Sequence, residues 1–251
     1  MGRELFGTDG IRGKANAYPS SADIMLKIGQ AAAKTFGNKK KRAKILIGKD
    51  TRISGYMIEY ALTSGICSMG VDVLLVGPMP TPAIAHLTKS FAADAGIVIS
   101  AWPNSFEDNG IKFFGPDGFK LDDVKEKEIE DLILGGDFDT SEFTEGKIGR
   151  AHRIDDAAGR YIEFAKSSIR NNSLEGLKIV VDCANGAAYK IAPMIFDELG
   201  AEVIVINNRP NGQNINLNCG ATHPEIVARA VKQVKSDVGI ALDGDADRVI
   251  M

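Results

Sequence analysis

Apolar and polar residues alternate along the chain with two different periods. Apolar residues at helical spacing predict helices over 21–36, 56–69, 82–91 and, with many charges, 121–134. Short continuous apolar runs between them predict buried strands at 44–47, 71–76, 95–100 and 111–114. The order of strand, helix and strand predicts parallel βαβ units.

The same order starts again after residue 150. Helices are predicted over 155–169, 187–199 and 224–235, and strands over 178–182, 202–206 and 238–242. The segment 135–149 between the two halves has few large apolar residues, which is typical of a linker or a surface crossing. We therefore expect an α/β protein of two successive domains, 1–150 and 151–251, with mixed, mainly parallel sheets covered by helices.

Composition narrows the class of protein without naming a function. The 251 residues are 44% hydrophobic and 25% charged, with a net charge of −3, so nothing favours nucleic acid or an anionic membrane as a partner. No window approaches the roughly 18 apolar residues of a membrane span. The N-terminus is too polar for a secretory signal, and three scattered cysteines do not form a disulfide framework. A cytoplasmic location is therefore expected.

Three carboxylates follow the last predicted strand. Asp243, Asp245 and Asp247 lie within five residues, where their charges repel one another unless a cation neutralises them. Oxygen ligands of this kind suit Mg²⁺ or Ca²⁺, and the alternative is an Asp-rich solvated turn. An EF-hand loop is excluded because its sixth position is Arg248 instead of glycine. A guanidinium beside a cation fits a site that handles phosphoryl groups.

Two glycine-rich segments contain basic side chains that are candidates for binding phosphate. Segment 6–13 holds Arg12 in flexible backbone, either as part of an irregular turn or presented to a phosphate. Segment 48–55 lies between a predicted strand and helix, where exposed N–H groups favour anions. Lys49 and Arg52 would add charge there, unless the neighbouring hydroxyls simply cap the helix.

The loop after the strand 95–100 contains the only tryptophan, Trp102, and leads to Lys112. Lys112 is a candidate general base if its pKa is lowered by nearby cations or by burial, and otherwise it is a surface lysine. His86 and His223 have no ligand-spaced partners, so they are interpreted as helix-associated residues and not as metal ligands.

Taken in order, these segments resemble the α-D-phosphohexomutase family along the whole chain. The order is GTDGIRG, GKDTRISG, a serine loop that leads into DNGIKFF, and finally LDGDADR. The opening RELFGTDGIRG and the stretch 214–225 are most similar to bacterial-type phosphoglucosamine mutases. Phosphomannomutase/phosphoglucomutases are the alternative within the family.

The resemblance implies an isomerase that interconverts hexose 6- and 1-phosphates through a phosphoserine and a bisphosphate intermediate. It implies a hexosamine phosphate as substrate and Mg²⁺ held by three aspartates and the phosphoserine. By resemblance the metal ligands are Asp243, Asp245 and Asp247, the general acid/base is Lys112, and Arg12 and Arg248 contact the phosphoryl group. Lys49 and Arg52 remain phosphate-binding candidates because of their place between a predicted strand and helix. Arg12 is also expected to contact the phosphoryl group during catalysis.

The nucleophile loop departs from the family pattern. The family loop reads Ser-Ala-Ser-His-Asn-Pro with the second serine phosphorylated, whereas this chain reads Ser-Ala-Trp-Pro-Asn-Ser over 100–105. Trp102 therefore occupies the nucleophile position, and an indole neither carries a transferable phosphoryl group nor ligates Mg²⁺. For Ser100 or Ser105 to replace it, the loop would have to shift by a residue or more. The chain as given is expected to be inactive.

Length is the second departure from the family. Family members carry two further domains, 3 and 4, so we expect these as missing partners, with exposed apolar surface that favours a homo-oligomer. Three hypotheses remain open at this point. The chain derives from a working mutase, it is a non-catalytic module that binds metal and phosphosugar, or it is a plain α/β domain pair with an acidic turn.

Overall fold

The computed structural model describes residues 4–7, 10–37, 42–136, 138–144, 146–170 and 172–251. Thr8 and Asp9 of the first glycine-rich segment lie outside them. The strands are β1 (Phe6–Gly7), β2 (Gly10–Lys14), β3 (Lys44–Lys49), β4 (Asp72–Pro78), β5 (Ala95–Ile99), β6 (Asp108–Phe114), β7 (Ala151–Arg153), β8 (Lys178–Asp182), β9 (Glu202–Ile206), β10 (Val238–Leu242) and β11 (Val249–Ile250). The helices are α1 (Ala22–Phe36), α2 (Ser54–Ser68), α3 (Thr81–Ser90), α4 (Asp123–Leu134), α5 (Ala157–Ser167), α6 (Ile191–Glu198) and α7 (Pro224–Val234).

Two sheets organise these elements. The first has the order β1-β2-β6-β5-β3-β4-β7, and the second β11-β10-β8-β9. The central strands β3, β4 and β5 pair in parallel, as do β8, β9 and β10, whereas β6 pairs antiparallel with both β5 and β2. The expectation of α/β architecture with mixed, mainly parallel sheets is confirmed.

Helices cover both faces of each sheet, which explains why the strands are apolar on both faces. In β3, Ile45 and Ile47 face a core shared with α1, α2 and α4, while Leu46 faces a second core with α3 and α5. In β8, Val181 packs with α6, and Val180 packs with α7 on the other face. Period-two burial on two covered faces produces the continuous apolar runs of the sequence.

Some elements differ from the prediction. The N-terminal segment forms β1 and β2, and β2 pairs with β6, so it is part of the first sheet. Helix α6 begins at Ile191 instead of residue 187, because the chain first makes turns in which Ala184 and Asn185 adopt positive φ. Strand β7 pairs with β4 of the first sheet. The division at residue 150 stays a prediction, and by strand pairing the first sheet extends to residue 153.

Hydrogen bonds join loops of the first sheet to loops of the second. The Thr51 hydroxyl donates to the Asn185 carbonyl at 2.5 Å, and the Thr81 N–H donates to the Asp245 carbonyl at 2.8 Å. These contacts hold the carboxyl end of β3 near that of β8, and the carboxyl end of β4 near that of β10. Among the described residues, no helix combines the length and the apolar character that crossing a membrane requires.

Candidate metal and phosphate site

The acidic loop after β10 brings three carboxylates together. One oxygen from each of Asp243, Asp245 and Asp247 lies within 4.8 Å of the others. Asp243 and Asp245 are each 1% exposed, while Asp247 lies at the surface. The turn is fixed by the Ala246 N–H, which donates to the Asp243 carbonyl, and by a positive φ of 56° at Ala246. We call these three residues the acidic triad.

Burial and mutual repulsion make two of these carboxylates difficult to ionise. Burial, followed by the charges of Asp245 and Asp247, raises the pKa of Asp243 to about 7. Burial also raises the pKa of Asp245, although the neighbouring Lys112 ammonium opposes that shift. A bound cation would favour the ionised form of both groups.

The oxygens of the triad fit a hard divalent cation. Asp243 Oδ2 and Asp245 Oδ1 are buried and have no hydrogen-bond partner among the described residues. Unpartnered buried carboxylate oxygens are costly, and coordination of a cation satisfies them. The other Asp245 oxygen, Oδ2, accepts the Thr81 hydroxyl at 3.0 Å, which orients that carboxylate.

Lys112, the candidate general acid/base, lies beside the acidic triad. It projects from β6 with a side chain that is 9% exposed. Its Nζ is 3.5 Å from Asp245 Oδ2 and 3.9 Å from Asp247 Oδ2. Its ammonium therefore offsets part of the negative charge of the triad, and a proton donor stands next to the candidate metal ligands.

Trp102 lies between the two arginines expected at the phosphoryl group. Arg12 Nη1 donates to the Trp102 carbonyl at 2.7 Å. The Arg248 guanidinium carbon lies over the indole, 4.1 Å from the ring centroid. The structure therefore brings Arg12, Arg248 and position 102 together at the edge of the acidic triad.

Arg52 binds groups of the protein itself, although its place in the sequence predicted that it would bind phosphate. Its side chain is fully buried, and its Nε donates to Asp50 Oδ2 at 2.8 Å. Its terminal nitrogens donate to the backbone carbonyls of Ser105, Asn104 and Asp108, the last two at 2.9 and 3.2 Å. Arg52 thus clamps the loop that contains Trp102.

The Lys49 ammonium is also paired inside the protein. Its Nζ lies 2.6 Å from Glu59 Oε2 in a buried ion pair and 3.8 Å from the centroid of the Tyr56 ring. Among the described residues, neither Lys49 nor Arg52 contacts the acidic triad. The spacing of the glycine-rich segment did not distinguish buried structural cations from phosphate ligands.

The two serines of the loop occupy different environments. Ser100 is fully buried, and its hydroxyl donates to Asp50 Oδ2 at 2.8 Å. Ser105 is exposed, and its carbonyl is held by Arg52. The hydroxyl of Ser100 is therefore already hydrogen-bonded to Asp50, the carboxylate that pairs with Arg52.

The sequence analysis missed Thr81 and Asp50. Both lie at the carboxyl ends of first-sheet strands, where ligands bind in open α/β sheets. Their position after a strand was the only sequence signal that could have pointed to them. A single threonine or aspartate forms no spacing pattern that predicts a binding site.

Among the described residues, no histidine or cysteine joins the acidic triad in a cluster that could hold a metal ion. His86 lies on α3 and stacks on Phe164 with 3.7 Å between ring centroids, and His223 precedes α7. The three cysteines are free thiols, and burial raises the pKa of Cys183 and Cys219 to about 12.

Comparison with known protein families shows to which family the chain belongs. The family model described as phosphoglucomutase/phosphomannomutase, alpha/beta/alpha domain I, matches residues 3–140, and the model of domain II matches residues 159–251. The chain belongs to the phosphoglucomutase/phosphomannomutase family. The resemblance found in the sequence is thereby confirmed, and the two models lie on either side of the predicted division.

Relatives within this family are similar to the chain along nearly its whole length. It is 61% identical over 249 residues to the phosphoglucosamine mutase of Geotalea daltonii, covering 99% of this chain and 55% of that protein. It is 62% identical to the phosphoglucosamine mutase of Geobacter sp. strain M21 over the same length, again covering 99% of the chain and 55% of the relative. The chain thus spans about half the length of the curated relatives it matches.

A solved structure of the family has the same fold. The phosphoglucomutase/phosphomannomutase family protein of Burkholderia thailandensis superimposes with a TM-score of 0.77 at 26% identity. The match covers 98% of this chain and 53% of that protein. A family fold over both sheets agrees with the order of elements described above.

Proposed function

We propose that this chain forms the metal- and phosphate-handling half of a phosphoglucosamine mutase-type site, with no nucleophile at position 102. Its substrate class is a hexosamine phosphate, glucosamine 6-phosphate or glucosamine 1-phosphate. Its reaction in the complete family mechanism is an isomerisation by phosphoryl transfer. As given, the chain binds these groups and does not itself transfer the phosphoryl group.

One observation carries this proposal. The acidic triad, the Lys112 ammonium and the Trp102 loop with its two arginines meet at one edge of the two sheets. Negative oxygens for a cation, a proton donor and two guanidinium groups for phosphate are the components that phosphoryl transfer requires. A solvated acidic turn would not bury two carboxylates with unpartnered oxygens.

Mg²⁺ is the cation that we propose for the triad. Asp243, Asp245 and Asp247 would hold it, because hard carboxylate oxygens are its preferred protein ligands. When bound, it supplies positive charge that neutralises phosphoryl oxygens. The residues of the chain provide the remaining functions: Arg12 and Arg248 bind and orient the phosphate, and Lys112 holds a proton close to the reacting oxygen.

The nucleophile loop supports the second part of the proposal. Trp102 has no group that accepts and returns a phosphoryl group. The hydroxyl of Ser100 is buried and bonded to Asp50, so it is not available to a substrate. The backbone of Ser105 is held in place by Arg52, which opposes a shift of the loop by one residue.

Glucosamine phosphate is favoured over glucose or mannose phosphate by sequence identity. The relatives at 61% and 62% identity are phosphoglucosamine mutases. The phosphomannomutase/phosphoglucomutase activity remains the second candidate, because the family description names both. A cytoplasmic location, association with domains 3 and 4, and self-association are further parts of the proposal.

A fusion experiment tests this function. The chain is joined to the C-terminal half of the Geotalea daltonii relative, with its own loop or with the family loop restored by Trp102→Ser, Pro103→His and Ser105→Pro. We expect the restored fusion to interconvert glucosamine 6- and 1-phosphates in the presence of Mg²⁺. With the native loop, turnover should be at least about 10³-fold lower, as expected for the loss of a nucleophile.

Two controls sharpen the result. Asp243→Asn with Asp245→Asn in the restored fusion should abolish turnover by removing two metal ligands. Glucose 6-phosphate and mannose 6-phosphate should be converted more slowly than glucosamine 6-phosphate. A restored fusion that prefers mannose 6-phosphate would replace the proposed substrate, and equal turnover with both loops would refute the assignment of position 102.

A further inference from the structure

The indole of Trp102 supports a charged group that comes from the other sheet. Trp102 lies in the loop between β5 and β6, whereas Arg248 follows β10. The Arg248 guanidinium carbon lies 4.1 Å from the centroid of the Trp102 ring. This distance is that of a cation–π contact between the guanidinium and the aromatic face.

The two side chains differ sharply in exposure. Trp102 is only 8% exposed, whereas the Arg248 side chain is 66% exposed. The indole N–H is buried without a hydrogen-bond partner among the described residues. Packing and the guanidinium contact therefore hold the ring, and the ring in turn gives the exposed guanidinium a fixed surface.

A stacked guanidinium keeps its hydrogen-bond donors free for an anion. The N–H groups of arginine lie in the plane of the guanidinium, so contact through its face leaves them available for two phosphate oxygens. Asp247 Oδ1 is 3.8 Å from Arg248 Nε, which is beyond a hydrogen bond. A free arginine of this exposure would lose side-chain freedom on binding, and a stacked one loses less.

We propose that Trp102 is a positioning residue that holds Arg248 ready for the phosphate group of a phosphomonoester. The substitution that removes the nucleophile thereby adds an element of phosphate binding. This inference rests on the proposed function, which makes Arg248 a phosphate ligand of the site. It goes further by giving the indole a role that no serine at this position can have.

The backbone of Trp102 and its ring can be tested separately. Arg12 donates to the carbonyl oxygen of Trp102, so a substitution of the side chain leaves that contact in place. Trp102→Phe keeps an aromatic face and loses no hydrogen bond, because the indole N–H has no partner. Trp102→Leu keeps an apolar side chain but removes the aromatic face.

Calorimetric titration of the chain with glucosamine 6-phosphate at saturating Mg²⁺ measures the effect. We expect Trp102→Leu to weaken binding about two- to fivefold, the range of an exposed cation–π contact. Trp102→Phe should retain most of the affinity. In an Arg248→Gln background, Trp102→Leu should have no further effect, because the guanidinium that it supports is gone.

The emission of Trp102 provides a second readout. Since it is the only tryptophan, its fluorescence should change when glucosamine 6-phosphate or inorganic phosphate binds, and should not change with glucosamine. The same titration of Arg248→Gln should leave the emission unaltered. A purely structural role of the ring would not make the spectral change depend on Arg248.

The outcomes separate this inference from the function on which it rests. If Arg248→Gln binds glucosamine 6-phosphate as tightly as the unaltered chain, Arg248 is not a phosphate ligand and both ideas fail. If Arg248→Gln weakens binding while Trp102→Leu is neutral or tighter, only the role of the indole is overturned. Equal losses from Trp102→Leu with and without Arg248 would also overturn it.

Discussion

Lys112 places an ammonium group beside two of the three carboxylates of the acidic triad. Its Nζ lies 3.5 Å from Asp245 and 3.9 Å from Asp247. The same charge that stabilises the triad without a cation repels a divalent cation that binds there. Lys112 therefore lowers the affinity for the metal, whereas as a proton donor it increases turnover.

Replacing Lys112 by methionine should tighten Mg²⁺ binding. Removal of one positive charge that lies about 4 Å from the triad carboxylates is expected to raise the affinity for Mg²⁺ roughly tenfold. Calorimetric titration of the chain with Mg²⁺ measures this, and Lys125→Met, which removes an exposed lysine from α4, is the matched control. Unchanged affinity in Lys112→Met would show that the ammonium has no influence on the metal site.

Arg52 holds the loop that contains Trp102 through hydrogen bonds to its backbone carbonyls, and its guanidinium is paired with the buried Asp50 carboxylate. Arg52→Met leaves that carboxylate buried without its cation, so we expect the free energy of unfolding to fall by about 3–5 kcal/mol. Urea denaturation measures the loss. Arg229→Met, at an exposed position of α7, should change stability by less than about 0.5 kcal/mol. A similarly small loss in Arg52→Met would mean that the clamp does not stabilise the loop.

The sequence predicted some of these residues better than others. The members of the acidic triad are close in the chain, so their spacing alone indicated a shared site. The role of Arg52 depends on carbonyls more than fifty residues away, and no local pattern shows such partners. Arg12 and Arg248 were phosphate-binding candidates from their own segments, and the family resemblance then assigned both to the phosphoryl group.

Among the secondary-structure elements, the second-sheet strands were predicted most accurately. Strands β8, β9 and β10 have the predicted bounds because each is a short apolar run between turn residues. Strands β1 and β2 were missed because they are short and glycine-rich and depend on pairing with β6. The antiparallel direction of β6 depends on tertiary pairing, which periodicity does not report.

Helix α4 anchors the first strand through Glu130. Its carboxylate accepts hydrogen bonds from the backbone N–H groups of residues 4–6 at 2.8 to 3.2 Å. Burial by itself raises the pKa of Glu130, but these hydrogen bonds outweigh it and hold the pKa below its ordinary value. The carboxylate therefore stabilises the fold above the unfolded-state pKa, and this stabilisation is lost as the pH falls through the folded-state pKa.

Glu130→Gln should reveal that dependence on pH. At pH 7 we expect the variant to be less stable by about 1–3 kcal/mol, because charge-assisted hydrogen bonds are lost. The difference from the unaltered chain should shrink as the pH falls through the lowered pKa of Glu130, because both side chains are then neutral. Glu128→Gln, at an exposed position of the same helix, is the control. A difference that does not vary with pH would contradict this role.

Helices α1 and α2 cross where glycine allows close approach. A Cβ on Gly65 would lie 2.1 Å from the Leu26 carbonyl oxygen, so the helices have to separate to accept it. We expect Gly65→Ala to lower the free energy of unfolding by at least about 2 kcal/mol.

Gly159 in α5 is the matched control for that substitution. A Cβ there meets nothing within 4 Å. Gly159→Ala should therefore stabilise the chain by about 0.5–1 kcal/mol through helix propensity. Thermal denaturation compares the two variants, and equal effects would mean that the helix crossing is not tightly packed.

At the scale of the whole molecule, the site exists because the two sheets meet at their carboxyl edges. Thr81, at the start of α3 after β4, bonds Asp245 in the loop after β10 through both its N–H and its hydroxyl. The alternation of strands and helices predicted that functional loops gather at such edges. It did not predict which edges face each other, because that depends on contacts between loops of the two sheets.

The central claim is that this site binds a cation and a phosphate while position 102 accepts no phosphoryl group. The most direct measurement is intact mass followed by peptide mapping after incubation of the fused protein with glucose 1,6-bisphosphate and Mg²⁺. We predict that the fusion with the restored loop gains one phosphoryl group at position 102 and that the fusion with Trp102 gains none. A phosphoryl group mapped to Ser100 or Ser105 in the Trp102 protein would contradict the account, because the loop would then have supplied its own nucleophile.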